Sequence, residues 1–403
     1  MQPFVSRPRG IVFPVVLFLL FFTLPAPCAR AGDPVRIGMI TTLSTKAGYL
    51  GEEIRDGFQL AIDQEDGRLG GIPVELLIGD DGRSPEKGRQ LAERFIKKDH
   101  ARILTGIVFS NVAMAVVPKV VRQGVFYLSP NAGPSLLAGR GCHPNYFCVS
   151  WQTDNLSEAI GQYATNKGYQ RVYVIAPNYL AGKDNVAGFK RFYKGGVCGE
   201  VYTKLGQADY AAEIAAIRAA HPDAVYFFLP GGMGINFLKQ FSQAGLTATI
   251  PLLGPAATDE RLLGAVGQAA SGVINSSQWA IDFHTPANEQ FVAAFEKKYG
   301  RRPTLFASQG YDTARLIGSA LKEVKGDMSR HDAFRAALER ADFTSVRGMF
   351  RFGLNHFPIQ DFYVRQVVRG DGGGYTNRVL AKVFNDHQDA YVGECVKRCR
   401  QGR

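Results

Sequence analysis

Short apolar runs alternate with amphipathic stretches along most of the chain. Runs such as Val225-Tyr226-Phe227-Phe228-Leu229 are apolar without interruption, which is typical of strands buried on both faces of a parallel sheet. The pattern predicts strands at 35–40, 73–79, 102–107, 125–128, 171–176, 224–229, 250–253 and 273–279. It predicts helices at 52–64, 85–98, 112–121, 155–167, 182–193, 210–220, 235–244, 288–299 and 307–324. Because strands and helices alternate, we predict an α/β fold.

The alternation is interrupted at 129–150, a stretch rich in Gly, Pro and Asn, and a second series of strands and helices begins at Arg171. One doubly wound sheet rarely takes so many strands. We therefore predict two doubly wound parallel-sheet lobes. Near the end of the chain, at 348–352 and 362–367, apolar and polar residues alternate, which predicts an antiparallel addition to one lobe.

The first thirty-one residues have the pattern of a secretory signal peptide. Arg7 and Arg9 precede an uncharged apolar run at 11–24, and Ala29-Arg30-Ala31 forms an A-x-A cleavage site. The run is too short to span a bilayer as a helix, which needs roughly 20 residues. An uncleaved membrane anchor is the alternative, although Pro14 interrupts the run. We expect cleavage near Ala31 and an exported chain that is not embedded in the membrane.

Length and charge change this picture only slightly. A chain of 403 residues predicts two or three domains at roughly 100–200 residues each. The formal net charge of +11 first suggests nucleic acid or an anionic membrane as a partner. However, residues 1–31 carry three arginines and no acidic residue, so the charge of the exported chain is +8. The remaining basic residues are mostly interleaved with acidic ones, which argues against nucleic-acid binding.

Five cysteines follow the predicted cleavage site, and an oxidising compartment favours disulfides. Cys142 and Cys148 flank a short loop that contains a proline, so we predict a disulfide between them. Cys395 and Cys399 are spaced so that a bridge across one helical turn is an open alternative, and Cys198 is left over. The sequence contains no C-x-x-C pair and no paired His/Cys spacing, so we predict no zinc site.

Patterns of known catalytic sites are missing from the sequence. We find no G-x-S-x-G nucleophile motif and no phosphate-binding G-x-x-x-x-G-K-[ST]. Gly231-Gly232-Met233-Gly234 lacks the third glycine of a dinucleotide fingerprint, and it more plausibly opens a helix or lets backbone approach a ligand. The seven histidines have no metal-ligand spacing. We therefore predict no enzyme activity, no cofactor and no metal.

The candidate ligand-binding residues follow the ends of predicted strands, where open α/β sheets bind ligands. Such segments are 41–49, 109–111, 129–133, 177–179 and 230–233. Hydroxyl and amide residues at a helix N-terminus leave N–H groups that can hold a carboxylate. Ser110 and Asn131 are also explained by capping or turn formation alone. Tyr49 and Tyr179 are also explained by packing.

Several segments together resemble the branched-chain amino acid (Leu/Ile/Val-type) family of periplasmic binding proteins, the solute-binding components of ABC importers. They are RIGM at 36–39, TLS at 42–44, GFQLAI at 57–62, GGIPVEL at 70–76, DD at 80–81, FYLSPNA at 126–132, GYD at 310–312 and GMFRF at 348–352. The resemblance extends from Asp33 to about Val383. It implies a periplasmic location, an ABC permease as partner, and two lobes that close on a ligand by hinge motion; we also expect a monomer.

The resemblance further implies three crossings between the lobes, near Ser150, Ile281 and Ser345. The expected boundaries are 1–31 for the signal peptide, 32–150 plus 282–345 for the N-terminal lobe, 151–281 plus 346–385 for the C-terminal lobe, and 386–403 for a tail.

By position, the resemblance assigns ligand-carboxylate binding to Ser110, Asn111, Asn131, Ala132 and Gly133. It also assigns ligand contacts to Tyr49, Tyr179 and Met233. The family's amino-acid binders pair the ligand ammonium with an acid after Gly-Pro, whereas this chain has Gly254-Pro255-Ala256-Ala257.

A buried ammonium without an anionic partner is costly, so we expect a carboxylate that lacks an amine, although Asp259 lies close by. Tyr49, Phe109, Trp151, Tyr179 and Met233 would form an apolar lining that suits an aromatic acid. A branched-chain amino acid is the less favoured ligand. Two other functions stay open: a sensor that presents a ligand to a separate membrane receptor, and a secreted hydrolase, for which we find no nucleophile–base pair.

Overall fold

The computed structural model describes residues 1–4, 33–370 and 372–401. Residues 5–31 of the predicted signal peptide, including its cleavage site, therefore lie outside the described residues. Residues 34–403 form one unit that contains two sheets. In the part of the chain that the structure describes, no helix combines the length and the apolar character needed to cross a membrane.

The first sheet has six strands in the order β2-β3-β1-β4-β5-β6. Its strands are β1 (Val35–Thr41), β2 (Arg68–Leu69), β3 (Ile72–Asp80), β4 (Ile103–Thr105), β5 (Phe126–Ser129) and β6 (Tyr146–Cys148). The central strand β1 pairs in parallel with β3 and β4, so that Ile37 lies beside Leu76 and Ile103. Four helices follow these strands: α1 (Gly48–Asp63), α2 (Pro85–Lys97), α3 (Ser110–Arg122) and α4 (Ser135–Ala138).

The second sheet has eight strands and repeats the doubly wound order, with β7 between β8 and β9. Its strands are β7 (Arg171–Pro177), β8 (Gly196–Thr203), β9 (Ala224–Phe227), β10 (Leu252–Pro255), β11 (Ile274–Ser277), β12 (Arg351–Phe352), β13 (Pro358–Arg369) and β14 (Tyr375–His387). The last three strands are antiparallel additions: β13 pairs with β11, and β12 and β14 both pair with β13. The helices between the parallel strands are α5 (Asn155–Asn166), α6 (Leu180–Phe192), α7 (Ala211–Ala220), α8 (Gly232–Gln243) and α9 (Glu260–Val266).

After β11 the chain returns to the first sheet. The returning helices are α10 (Pro286–Tyr299), α11 (Leu305–Val324) and α12 (His331–Arg340), and the chain ends in α13 (Val392–Gln401). Helix α11 packs so closely on α1 that a Cβ added at Gly57 would lie 1.9 Å from the Ala307 carbonyl oxygen. We call the six-stranded sheet with α1–α4 and α10–α12 the first lobe, and the eight-stranded sheet with α5–α9 the second lobe. The predicted crossing points near 150, 281 and 345 stay a prediction.

The two-lobed α/β architecture and the antiparallel addition are confirmed, but four strands were not predicted: the two-residue β2, and β6, β8 and β14. Strands β8 and β14 contain many partly exposed residues, so their sequences lack the continuous apolar runs of the central strands. Strand β6 has only three residues and lies in the stretch that interrupts the pattern. The predicted tail 386–403 contains the end of β14 and helix α13.

The predicted Cys142–Cys148 disulfide is wrong. Cys142 is bonded to Cys395 of α13, across a sequence separation of 253 residues, which also removes Cys395 from the alternative pair with Cys399. Cys148 is a buried free thiol in β6, and its burial raises its pKa to about 11. The short spacing was misleading because the distance in the fold, and not the separation in sequence, decides which cysteines can bond; the Cα atoms of Cys142 and Cys395 are 5.7 Å apart.

Candidate functional site

A cavity lies between the two lobes, at the carboxyl ends of the parallel strands. We call it the inner cavity. The first lobe contributes Tyr49, Val108, Phe109, Ser110, Asn131, Ala132 and Phe306, and Trp151 follows β6. The second lobe contributes Tyr179, Ala181, Asn185, Phe228, Pro230, Ala256 and Asp259, among others. Each parallel sheet thus presents its carboxyl-end loops to the same space, the usual location of ligand sites in open α/β sheets.

Aromatic side chains form much of the cavity wall. The Phe109 and Tyr179 rings face each other across the lobes with centroids 6.4 Å apart, and Phe228 stacks beside Tyr179 at 6.5 Å. Trp151 is only 8% exposed and lies where the chain leaves the first sheet. Flat apolar walls of this kind favour a ring-shaped ligand or another flat apolar group.

The polar side of the inner cavity is built around Ser110, the first residue of α3. Its Oγ accepts a hydrogen bond from the Ala181 backbone N–H at 3.1 Å, at the start of α6 in the other lobe. A hydroxyl that accepts in this way still has its own hydrogen to donate. The first N–H groups of a helix such as α3 have no partner within the helix, and they attract anions. Ser110 and the start of α3 can therefore bind a carboxylate.

Asp259 is the one acidic residue among those that line the inner cavity. Its carboxylate accepts a hydrogen bond from the Tyr49 hydroxyl at 2.9 Å and another from the Leu262 N–H at 2.8 Å, where it caps α9. Burial raises the pKa of this carboxyl and also holds the pKa of Tyr49 well above its usual range. The side chain is thus already bonded on both oxygens, by Tyr49 from the first lobe and by Leu262 within the second lobe.

Comparison with known proteins decides the family. A model of the periplasmic binding protein family matches residues 34–373. The chain belongs to the periplasmic binding protein family. The family resemblance of the sequence is thereby confirmed.

Individual relatives of this periplasmic binding protein match over nearly its whole length. It is 28% identical to Leu/Ile/Val-binding protein homolog 6 of Brucella melitensis, over 90% of this chain and 94% of the relative. It is also similar to the solute-binding protein of an ABC transporter from R. palustris in complex with benzoate. That match has 31% identity and a TM-score of 0.85, and covers 89% of this chain and 99% of the other.

A second solute-binding protein, from Rhodopseudomonas palustris BisB5, is in complex with 3,4-dihydroxybenzoic acid. It is 28% identical with a TM-score of 0.83, and the match covers 89% of this chain and 99% of that one.

Seven of the ten predicted ligand residues line the inner cavity of this periplasmic binding protein: Tyr49, Phe109, Ser110, Asn131, Ala132, Trp151 and Tyr179. Met233 instead lines a neighbouring cavity, where its Sδ accepts from the Gly206 N–H. Asn111 and Gly133 are next to lining residues in the chain but are not among them. For all ten residues, the role as a ligand contact stays a prediction.

Several lining residues were missed by the sequence reasoning. Phe228 is the last residue but one of the strand predicted at 224–229, so its position was available as a signal. Asn185 and Phe306 lie in helices, and nothing in their local pattern distinguishes them from packing residues.

Further contacts join the lobes around the inner cavity. The backbone N–H and hydroxyl of Ser135 donate to Asp184 of α6 at 3.0 and 2.8 Å. On another side, Arg261 of α9 donates to Glu52 of α1 at 2.9 Å and lies over the Tyr49 ring. All are polar contacts between facing surfaces, so water can replace them when the lobes separate.

Proposed function

We propose that this protein captures a small aromatic carboxylate without an amine between its lobes and delivers it to an ABC importer. In this proposal the protein is periplasmic, is exported with cleavage near Ala31, and acts as a monomer that docks on the permease in its closed form. Ligand contacts to both lobes would shift the open–closed equilibrium towards closure.

The observation that carries the proposal is the chemistry of the inner cavity. Phe109, Tyr179 and Phe228 supply flat apolar walls, and Ser110 supplies a hydroxyl at the start of α3. An aromatic acid has a flat apolar ring and one anionic group, which match these two features. The benzoate and 3,4-dihydroxybenzoate complexes of the two similar solute-binding proteins support the same class of ligand.

The size of the cavity also favours a small ligand. The inner cavity has a volume of about 70 Å³. A single water molecule needs about 10–15 Å³ of such volume. The cavity therefore has room for a few water-sized groups, which suits a single-ring acid better than a ligand with several rings.

Asp259 provides the argument against an amino acid. A ligand ammonium would need a buried anion, and the one lining acid already accepts from Tyr49 and Leu262. The similarity to a Leu/Ile/Val-binding protein homologue supports the second candidate, a branched-chain amino acid.

The test is a thermal-shift and calorimetric comparison of benzoate and 4-hydroxybenzoate with leucine and isoleucine. We expect the aromatic acids to raise the melting temperature and the amino acids to leave it unchanged. Ser110→Ala should weaken benzoate binding about 10-fold, as expected for loss of a hydrogen bond to a charged group. The matched control is Ser319→Ala, because the Ser319 hydroxyl bonds only within α11. Stabilisation by leucine and not by aromatic acids would overturn the proposal.

A further inference from the structure

A second cavity of about 250 Å³ lies at the mouth of the cleft. We call it the outer cavity. Lys46 and Arg83 of the first lobe and Gln207, Gly232 and Met233 of the second lobe line it. Pro230 lines both cavities, so the outer cavity is a direct neighbour of the inner one. Its lining includes two basic residues and no acidic residue.

Lys46 lies directly beside the start of α8. A Cβ added at Gly232, the first residue of that helix, would be 2.8 Å from Lys46 Cβ and 3.6 Å from Lys46 Cδ. Glycine is therefore needed for the first-lobe loop to approach this helix. The preceding residue, Gly231, has a φ of +66° and contributes no side chain to cap the helix.

Arg83 of the first lobe also reaches the second lobe. Its guanidinium nitrogens lie 3.1 and 3.3 Å from the position of a Cβ on Gly206, and its Cζ is 5.8 Å from the centre of the Phe109 ring. No ion pair of Arg83 or of Lys46 occurs within the described residues.

The acids nearest in sequence are bonded elsewhere. Asp80 accepts from the N–H groups of Leu43 and Gly82, and Asp81 accepts from the Thr42 hydroxyl and the Arg83 N–H. Glu213 accepts from the Gln207 side chain at 2.8 Å. Within the described residues, none of these carboxylates forms an ion pair with Lys46 or Arg83.

Three positive groups border the outer cavity: the Lys46 and Arg83 side chains of the first lobe and the N-terminal end of the twelve-residue helix α8 of the second lobe. A helix N-terminus carries roughly half a positive charge, so the three groups repel one another. An anion placed between them would turn this repulsion into attraction from both lobes at once.

We propose that the outer cavity binds a small oxyanion, such as a carboxylate, phosphate or sulfate, and that this anion stabilises the closed form. The site is separate from the inner cavity, and its existence does not depend on which ligand the inner cavity takes. Because both sites favour the closed form, occupation of one raises the affinity of the other by the same factor.

The test uses sodium sulfate at millimolar concentrations and the full exported chain. We expect sulfate to raise the melting temperature of the wild type saturably, by about 1–3 °C. Lys46→Gln/Arg83→Gln should lose this rise. The control is Lys98→Gln/Arg102→Gln, which makes the same change in net charge at two exposed residues near the amino end of β4. This control should keep the rise in melting temperature with sulfate.

A second measurement uses benzoate as the probe. In the wild type, sulfate should raise benzoate affinity about 5-fold, and the test variant should show no such gain. Equal responses of wild type and test variant to sulfate, or no saturable response in the wild type, would overturn the outer site. Failure of benzoate to bind any variant would instead contradict the proposed inner ligand and leave the sulfate result standing.

Discussion

The two lobes are joined in two different ways on the two sides of the inner cavity. On the cleft side, individual hydrogen bonds connect the facing surfaces of the two lobes. Examples are Tyr49–Asp259 at 2.9 Å and Ser110–Ala181 at 3.1 Å. On the side where the chain crosses, the contacts are buried networks. The Arg347 guanidinium donates to Asp312, to the Val149 and Ser150 carbonyls and to Gln360.

The C-terminal segment strengthens the crossing side. Cys395 of α13 is bonded to Cys142 in the first lobe, and the Tyr391 hydroxyl donates to Asp154 at 2.7 Å. Contacts on the cleft side can be exchanged for water or ligand, whereas those on the crossing side would leave buried charges without partners. We therefore expect the contacts on the cleft side to break before those on the crossing side when the lobes separate.

The largest expected effect comes from the centre of the crossing side. Arg347→Met leaves Asp312 as a buried carboxylate without its cation, since the two side chains are 2% and 0% exposed. We expect the free energy of unfolding to fall by about 3–5 kcal/mol, measured by chemical denaturation. Arg351→Met is the control, because its ion pair with Asp386 is more than half exposed. If Arg347→Met lowers the free energy of unfolding no more than Arg351→Met does, the buried network on the crossing side does not stabilise the protein as expected.

A smaller effect is expected from pH at the same side. Burial, and then the charge of Asp184, raise the pKa of Asp154 to about 7. A carboxyl with a raised pKa binds its proton more readily in the folded state, so this group adds stability as the pH falls from 7 towards its ordinary value. Between pH 8 and 5.5 it should add about 2 kcal/mol.

Denaturation at these two pH values checks this expectation. Asp154→Asn should reduce the gain on acidification by about 2 kcal/mol, and a remainder is expected because burial also raises the pKa of Glu53 to about 7. Asp66→Asn, at an exposed aspartate on a loop of the first lobe, should keep the full gain. If Asp154→Asn still gains as much free energy of unfolding between pH 8 and 5.5 as the wild type, a group other than Asp154 is responsible for the gain.

The smallest effect is expected on the cleft side. Tyr49→Phe removes the hydroxyl that donates to Asp259, so the closed form should lose about 1 kcal/mol and benzoate affinity about 5-fold. Titrations that follow tryptophan fluorescence measure this change, because Trp151 lines the inner cavity. Tyr311→Phe is the matched control, because the Tyr311 hydroxyl donates to Gln64 on the exposed surface. Equal benzoate affinity in the two variants would mean that the Tyr49 contact does not support closure.

Positions next to strand ends were predictable from sequence. Phe109, Ser110, Asn131 and Ala132 follow β4 and β5, and the topology of a parallel sheet places such residues at one edge. The inner cavity brings these four together with Tyr49, Trp151 and Tyr179. Met233 follows β9 in the same way, yet α8 directs it into the outer cavity. Position after a strand therefore predicts the edge of the sheet but not the cavity.

The sequence by itself determined the architecture: periodicity and uninterrupted apolar runs are local properties, and they predict two α/β lobes with ligand loops at their carboxyl edges. The tertiary structure alone decided which distant groups meet. Cys142 bonds to Cys395 rather than to Cys148, Asp259 accepts from a tyrosine 210 residues away, and Lys46 lies against Gly232. These contacts join segments far apart in the chain, so they follow from how the lobes pack and not from local spacing.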